Sequence, residues 1–363
     1  MPKIPRPFIP LMAGFECSSF RRSDGVRLDL VAATGHEEFA EQDFCMLADL
    51  GITTAREGLR WHIIEAERGT RHWESADKIM RAARAAGIEI IWDILHFGLP
   101  DWVNPFHPDF PSIMADFAGE FATRAGPGIY VPVNEISFMA WAGGDAEYMY
   151  PYATGRGPEL KQALCRASIA AIHAIRSACP SAVIMAVEPM IKVHAATPLE
   201  TVAALRFDNA QFEAVDMLMG RLQPDLGGAP SMVDILGVNH YPHSQWFVDR
   251  TTVPWASPRW LRLSALLDEM YRRYHLPLLL AETGCEGHDR SVWFDYVVSE
   301  CETAVRNKIP LLGICLYPIL SHVAWTGERY CANGLWDGDS PERVIFAPLA
   351  EAISRQMACA ASP

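Results

Sequence analysis

The chain has 363 residues, 50% of them hydrophobic and 21% charged, which is enough to build one large buried core. A formal net charge of −13 argues against nucleic acid or an anionic membrane surface as partner, because the field would repel phosphate. No run of about twenty apolar residues exists to span a bilayer. The start, Met1 to Pro7, carries basic residues and three prolines without the apolar stretch of a secretory signal. The nine cysteines lack CxxC pairs, and Cys45, Cys165, Cys179 and Cys301 lie on apolar helix-like segments. They read as reduced thiols of a cytoplasmic protein. The oligomeric state is left open.

In chain order, short apolar runs alternate with longer helical patterns. The expected strands are Phe8–Phe15, Thr53–Glu57, Glu89–Leu95, Ile129–Asn134, Val183–Val187, Asp234–Asn239, Leu278–Glu282 and Leu311–Leu316. Runs such as "PLLLAE" and "PLLGICL" suit a parallel sheet covered on both faces. The expected helices are Glu37–Leu50, Ser75–Ala86, Ser112–Ala125, Glu159–Ala178, Leu199–Gly220, Pro258–Tyr274, Arg290–Asn307 and Ala347–Met357. Gly51 and Gly87 follow apolar helical runs, as left-handed C-terminal caps do. Eight strands, eight helices and a spacing of roughly 40 residues predict an α/β fold, a (β/α)8 TIM barrel, as a single domain over residues 1–363. No GxGxxG follows the first strand, which weakens a doubly wound dinucleotide fold. Gly143–Gly157 and Tyr241–Pro258, rich in Gly, Pro and aromatics, read as loops over one barrel mouth.

Barrel chemistry sits at the C-terminal strand ends. There the chain places Arg56 and Glu57, Asp93 and His96, Asn134 and Glu135, His240 and Tyr241, Glu282, and then Tyr317 and Trp325. Glu135 closes "GIYVPVNE" and Glu282 closes "LPLLLAETG". A single buried glutamate is as readily structural, held by an arginine such as Arg56. Two of them, on facing strands four and seven, point to a catalytic carboxyl pair. Retaining glycoside cleavage needs such a pair about 5–5.5 Å apart, one protonated at the leaving oxygen and one ionised below the anomeric carbon. The charge of Glu282 would raise the pKa of Glu135, while Arg56 would keep Glu282 ionised.

Trp61, Trp92, Trp102, Trp141, Trp246, Trp255, Trp325 and Trp336 fall near strand ends or loops. Any one Trp is more often core than sugar platform. Trp325 and Trp246 stand in the more loop-like contexts. His36, His62, His72, His96, His107, His240 and His243 form no HExxH or His-x-His pattern, so structural or substrate-binding roles are favoured over zinc. No GxSxG follows a strand, and phosphate-loop motifs are missing.

These residues resemble glycoside hydrolase family 1, or a divergent relative among the retaining barrel glycosidases of the same clan. "GITTAREGLRW" looks like the second-strand motif, with Arg56 at its arginine and Trp61 at its tryptophan. "LHFGLPDW" resembles "YHWDLP" and puts His96 at the glycone-binding histidine. "VPVNEIS" resembles "TiNEp", placing Asn134 at the asparagine that contacts the sugar 2-hydroxyl and Glu135 at the acid/base. "DILGVNHY" is similar to "DFiGiNyY", matching Asn239 and Tyr241, the tyrosine that hydrogen-bonds the nucleophile. "LAETG" resembles "iTENG", with Glu282 as nucleophile.

The departures lie in the sugar pocket. The motif "WSlxDNxEW" aligns with "YPILSHVAW": Tyr317 replaces a tryptophan, Ala324 replaces the glutamate that binds the outer glycone hydroxyls, and Trp325 is kept. Where the family supplies a glutamine after the first strand, this chain reads "GFECSSFRR", with Arg21 near that position and Glu16 offering a carboxylate. The resemblance implies double-displacement hydrolysis of small β-linked glycosides, with a carbohydrate as partner and no metal or organic cofactor. A transglycosidase sharing the intermediate is the second reading. A carbohydrate-binding pseudoenzyme is the third, although it would be expected to lose one carboxylate.

Overall fold

A computed structural model of the protein describes residues 9–360. Phe8 and the amino-terminal segment read above for a signal lie outside the described residues.

Eight parallel strands close into a barrel: β1 (Leu11–Gly14), β2 (Thr54–Gly58), β3 (Glu89–Asp93), β4 (Ile129–Val131), β5 (Val183–Pro189), β6 (Ile235–Asn239), β7 (Leu278–Thr283) and β8 (Leu311–Leu316). The closing pair sets Leu11 against Ile314 and Ala13 against Leu316. Most strands lie where an apolar run places them, because both faces are buried; β2 is the exception, with Arg56 and Glu57 buried among polar partners. One face of Ile91, Val131, Met185, Val187, Ile235, Leu279 and Ala281 fills the barrel interior. The other face meets the surrounding helices in the larger core.

Besides single-turn helices at Leu30–Ala33 and Trp61–Ile64, the helices among the described residues are α1 (His36–Asp49), α2 (Glu74–Ala86), α3 (Phe110–Ala125), α4 (Ile136–Gly144), α5 (Gly157–Ala178), α6 (Thr201–Asn209), α7 (Glu213–Leu218), α8 (Leu263–Tyr274), α9 (Arg290–Arg306) and α10 (Ala347–Ala360). In α2, Ala76, Ile79, Met80 and Ala83 recur on one face and are buried, at about 1.5–3 kcal/mol for a large side chain. Gly87 ends it at φ 70°, a left-handed cap that a side chain would strain.

Helix α4 has no counterpart in the sequence reading, and two of the expected helices differ from it for visible reasons. The run expected over Leu199–Gly220 breaks into α6 and α7 around a 3-10 turn at Ala210–Phe212. Asp208 accepts Lys192 Nζ at 2.6 Å and the Val193 N–H at 3.0 Å, and Gln211 Oε1 accepts the Ile191 N–H at 3.0 Å. These side chains bind the helical run to Lys192–His194, a short strand paired with Gln245–Phe247, so the loop read over Tyr241–Pro258 contains a strand. Helix α8 starts at Leu263, not Pro258, because the Glu300 carboxylate accepts both the Ser264 N–H at 3.2 Å and its hydroxyl at 2.6 Å.

Alternation along β2 sends consecutive side chains opposite ways. Arg56 turns into the mouth, whereas Glu57 turns outward to His36 Nε2 at 2.9 Å. His36 Nδ1 meets Asp43 at 2.7 Å, and Arg343 grips Asp43 with Nε at 2.8 Å and Nη2 at 3.0 Å. This buried chain ties the far C-terminal loop to α1 and β2. It pushes the His36 pKa up to about 9: burial opposes the charge, and the Glu57 and Asp43 carboxylates overcome it.

Candidate active site

The mouth is organised by Arg56, which is fully buried. Its Nε and Nη2 pair with Asp93 Oδ1 and Oδ2 at 3.0 and 2.7 Å, a two-pronged grip between the ends of β2 and β3. Nη2 also donates to Asn134 Oδ1 at 2.7 Å, and Nη1 to Glu282 Oε1 at 2.6 Å. One cation thus serves two carboxylates. Burial works against the charges of Arg56 and Asp93, but their mutual attraction prevails, holding Asp93 below the ordinary carboxylate range.

Glu282 sits at the end of β7, directly across from Asn239 in the sheet register. Its Oε2 accepts the Tyr241 hydroxyl at 2.8 Å. Glu135 lies past the end of β4 in the left-handed region, at φ 47° and ψ 60°. That conformation costs a residue with a side chain about 1–2 kcal/mol. It is held by the Glu135 N–H to the Val187 carbonyl at 2.9 Å, and Asn239 Nδ2 donates to Glu135 Oε1 at 2.8 Å.

The electrostatics separate the two glutamates. Burial pushes the Glu135 pKa well above the ordinary value, and the Glu282 charge pushes it further. Burial also raises Glu282, but Arg56, His96 and the Tyr241 hydrogen bond oppose it. Both carboxyls are pushed up, Glu135 more strongly, so a proton shared by the pair favours Glu135. A proton donor beside a carboxylate, at the C-terminal mouth of a barrel, can perform acid-assisted substitution at a carbon between them.

His96 completes the floor. Its Nδ1 meets Asp93 Oδ2 at 2.8 Å, its Nε2 meets Asn134 Nδ2 at 3.1 Å, and its ring stacks on Tyr317 at 6.0 Å. Cys17 Sγ lies 3.1 Å from His96 Nδ1, so Cys17, Asp93 and His96 form a group of metal-ligating type. Both Asp93 oxygens are already bound by Arg56, and burial raises the Cys17 thiol well above its ordinary pKa. The chemistry of that set fits a hydrogen-bonded floor better than a cation. Gly58 is needed for it, because a Cβ there would stand 2.4 Å from Cys17 Sγ.

Glu16 turns into the same region. Its Oε1 accepts the Ser18 N–H at 2.9 Å and the Tyr317 hydroxyl at 3.4 Å. Burial disfavours its charge, yet His322, His96 and Ser18 hold its pKa below the ordinary value. Arg21, the alternative at this place, points away and pairs with Asp101 at an exposed position. Ala324 is 8% exposed and offers no polar side-chain atom. Trp325 stands beside it, packed by Phe20, Phe97, Phe138 and Tyr148 with ring centres 5.2–6.3 Å away.

The structure thus joins Glu16, Arg56, His96, Asn134, Tyr241 and Glu282 in one hydrogen-bonded group through Asp93, Cys17 and Tyr317. Glu135 and Asn239 form a separate hydrogen-bonded pair beside it, Asn239 lying across from Glu282 in the sheet register. Trp325 adjoins the group through Phe97, which contacts His96. Other candidates go elsewhere. His240 is buried with Nδ1 against the Met190 carbonyl, and burial pushes its pKa down to about 4, so it is neutral packing. Trp61 stacks on Phe117 in the helix layer, and Trp255 packs on Trp293. Trp246 lies on the small Gln245–Phe247 strand. Glu188, buried at the end of β5, went unnoticed in the sequence. The signal was there: "VIMAVEP" ends an apolar strand in a carboxylate, as the strands of Glu135 and Glu282 do.

No protein-family model matches the chain, and no curated protein matches it by sequence. Solved structures do match over almost the whole chain. The family 1 β-glucosidase from Thermotoga maritima superposes with a TM-score of 0.81 at 14% identity, covering 99% of this chain and 100% of that one. The fold is that of a family 1 β-glucosidase. The same glucosidase in complex with glucoimidazole gives a TM-score of 0.81 at 14% identity, over 97% of this chain and 98% of that one. The AHE enzyme from Alicyclobacillus herbarius gives 0.80 at 17% identity, over 96% and 98%. With so few shared residues, the family 1 likeness speaks for the backbone. Among the described residues, no helix is long and apolar enough to cross a membrane.

Proposed function

We propose that the protein is a retaining β-glycoside hydrolase, a divergent relative of family 1, acting on small β-linked glycosides. The observation that carries the reading is the hold on Glu282, whose two oxygens accept Arg56 Nη1 at 2.6 Å and the Tyr241 hydroxyl at 2.8 Å, contacts that favour its charged form, beside a Glu135 carboxyl that burial and Glu282 push toward its protonated form. In the first step Glu135 gives its proton to the glycosidic oxygen while Glu282 Oε attacks the anomeric carbon. The C–O bond to the aglycone breaks, the alcohol leaves, and an ester to Glu282 forms. In the second step Glu135, now a carboxylate, takes a proton from water, whose oxygen displaces Glu282. The sugar leaves with its original configuration, and both glutamates return to their starting states.

Arg56 and Tyr241 would fix the attacking carboxylate. Asp93 takes the strong two-pronged side of Arg56, so Glu282 is oriented without being fully neutralised. Asn239 would orient Glu135, while Asn134, His96 and Glu16 would bind sugar hydroxyls and Trp325 would carry the apolar sugar face. The Thermotoga glucosidase is described with glucoimidazole, castanospermine and deoxynojirimycin, which accords with a carbohydrate ligand at a site of this shape. The reading gives these residues no step that needs a metal or organic cofactor.

The test is Glu282→Gly assayed with azide or formate. Activity on an aryl β-glycoside should vanish and partly return when the small anion occupies the missing carboxylate's place. Rescue of Glu135→Gly with none of Glu282→Gly would reverse the assignment.

A further inference from the structure

Glu188 is a buried carboxylate that takes no part in the chemistry above. Both its oxygens accept the Ser137 N–H at 3.2 Å, in the first turn of α4 and two residues beyond Glu135. One residue earlier on β5, the Val187 carbonyl accepts the Glu135 N–H at 2.9 Å. Two consecutive residues of one barrel strand therefore hold both sides of the Glu135 turn. That turn is left-handed at φ 47° without a glycine to ease it, so it persists only where its surroundings enforce it.

We propose that Glu188 is a positioning residue for Glu135: it pins the first turn of α4 and sets a negative charge behind the carboxyl group, so that Glu135 keeps its proton. The inference rests on Glu135 being the proton donor.

The surrounding charges agree. Glu188 is faced by Lys161 and Cys165 from α5 and by Glu135 from beyond β4. Lys161 is already shared, donating to Glu213 Oε2 at 2.6 Å and to the Ala210 carbonyl at 3.3 Å. The Cys165 thiol is neutral, its pKa pushed up by burial and by Glu188 itself. Glu135 in turn faces Glu282, Arg56 and Asn239. Burial lifts Glu188 to about 7 against the Ser137 hydrogen bonds and Lys161. Its charge is thus present on the alkaline side of neutrality, where loss of the Glu135 proton would stop catalysis. The N-terminus of α4 favours that charge as well.

The experiment is a carboxyl-carbon NMR titration of glutamate-labelled enzyme, with Glu135 and Glu188 assigned by the signals lost in Glu135→Gln and Glu188→Gln. In the wild type, the Glu135 signal should show, apart from any inflection where Glu282 ionises, an inflection at the pH where the Glu188 signal itself titrates, as coupled groups do. In Glu188→Gln the Glu135 pKa should fall by about one unit, the scale of one nearby buried charge, and the alkaline limb of kcat/KM should move down with it. A Glu135 pKa and alkaline limb unchanged in Glu188→Gln, whatever happens to Tm, would make Glu188 a helix cap only and overturn the proposal. If Glu188→Gln fails to fold, the wild-type curve decides: a Glu135 signal with no inflection at the pH where Glu188 titrates overturns it. If Glu135 responds to Glu188 while the wild type cleaves no β-glycoside, the positioning stands and the reading as a hydrolase falls.

Discussion

Tyr241→Phe removes one oxygen and one hydrogen bond, the 2.8 Å contact from the phenol to Glu282 Oε2. A hydrogen bond to a charged partner is worth about 1.5–3 kcal/mol. The bond favours the ionised form of Glu282, so its loss raises the pKa. At about 1.36 kcal/mol per unit, the rise is about one to two pH units. Burial already pushes Glu282 up, and after the change only Arg56 and His96 remain to oppose it among the named groups. Because attack needs the carboxylate, the acid limb of kcat/KM should move to higher pH by that amount. The covalent step should slow as well. The assay is the pH profile on an aryl β-glycoside with a good leaving group, so that protonation by Glu135 does not limit the rate. An acid limb that stays in place would leave Tyr241 as packing and remove it from the nucleophile's support.

Other outcomes follow from the same geometry. Glu135→Ala should keep turnover on dinitrophenyl glycosides and lose it on alkyl glycosides, since only poor leaving groups need the proton; equal loss on both contradicts the acid/base role. Ala324 offers no acceptor for outer glycone hydroxyls, so kcat/KM for aryl β-glucoside, galactoside, fucoside and xyloside should differ weakly or favour the less hydroxylated sugars. A glucoside preference of about 1,000-fold or more would show that another residue supplies that contact. The raised pKa of His36, about 9, makes its contribution to stability full below the unfolded value near 6.5 and lost as pH rises through 9. Tm should fall across that window in the wild type and more gently in His36→Asn; parallel slopes would mean that His36 is neutral in the fold.

Much of this was legible in the sequence because a buried parallel strand writes itself as a continuous apolar run. Ile235–Asn239 and Leu278–Thr283 are such runs, and the polar residue at the end of each is what the chemistry would use. Asn239 and Glu282 are legible this way, whereas Arg56 stands out as a cation inside the short strand Thr54–Gly58. The helix α4 was missed because Ile136–Gly144 is apolar on every side and shows no helical period. The division of α6 from α7 depends on Asp208 and Gln211 reaching a strand that pairs with residues fifty positions away, which no local pattern reveals. Asp93 was seen as a polar residue near a strand end, but its two-pronged hold on Arg56 is a tertiary fact. Glu188 needed the knowledge that β5 ends beside the Glu135 turn.

The central claim is retention through a glycosyl ester on Glu282, and the anomer released first tests it most directly. Proton NMR should follow the wild type acting on an aryl β-glycoside from the first turnovers, before mutarotation mixes the products. The account predicts that the β-hemiacetal appears first and the α-anomer only later by mutarotation. An α-anomer formed first would mean a single displacement by water, and the double-displacement roles of Glu135 and Glu282 would be wrong.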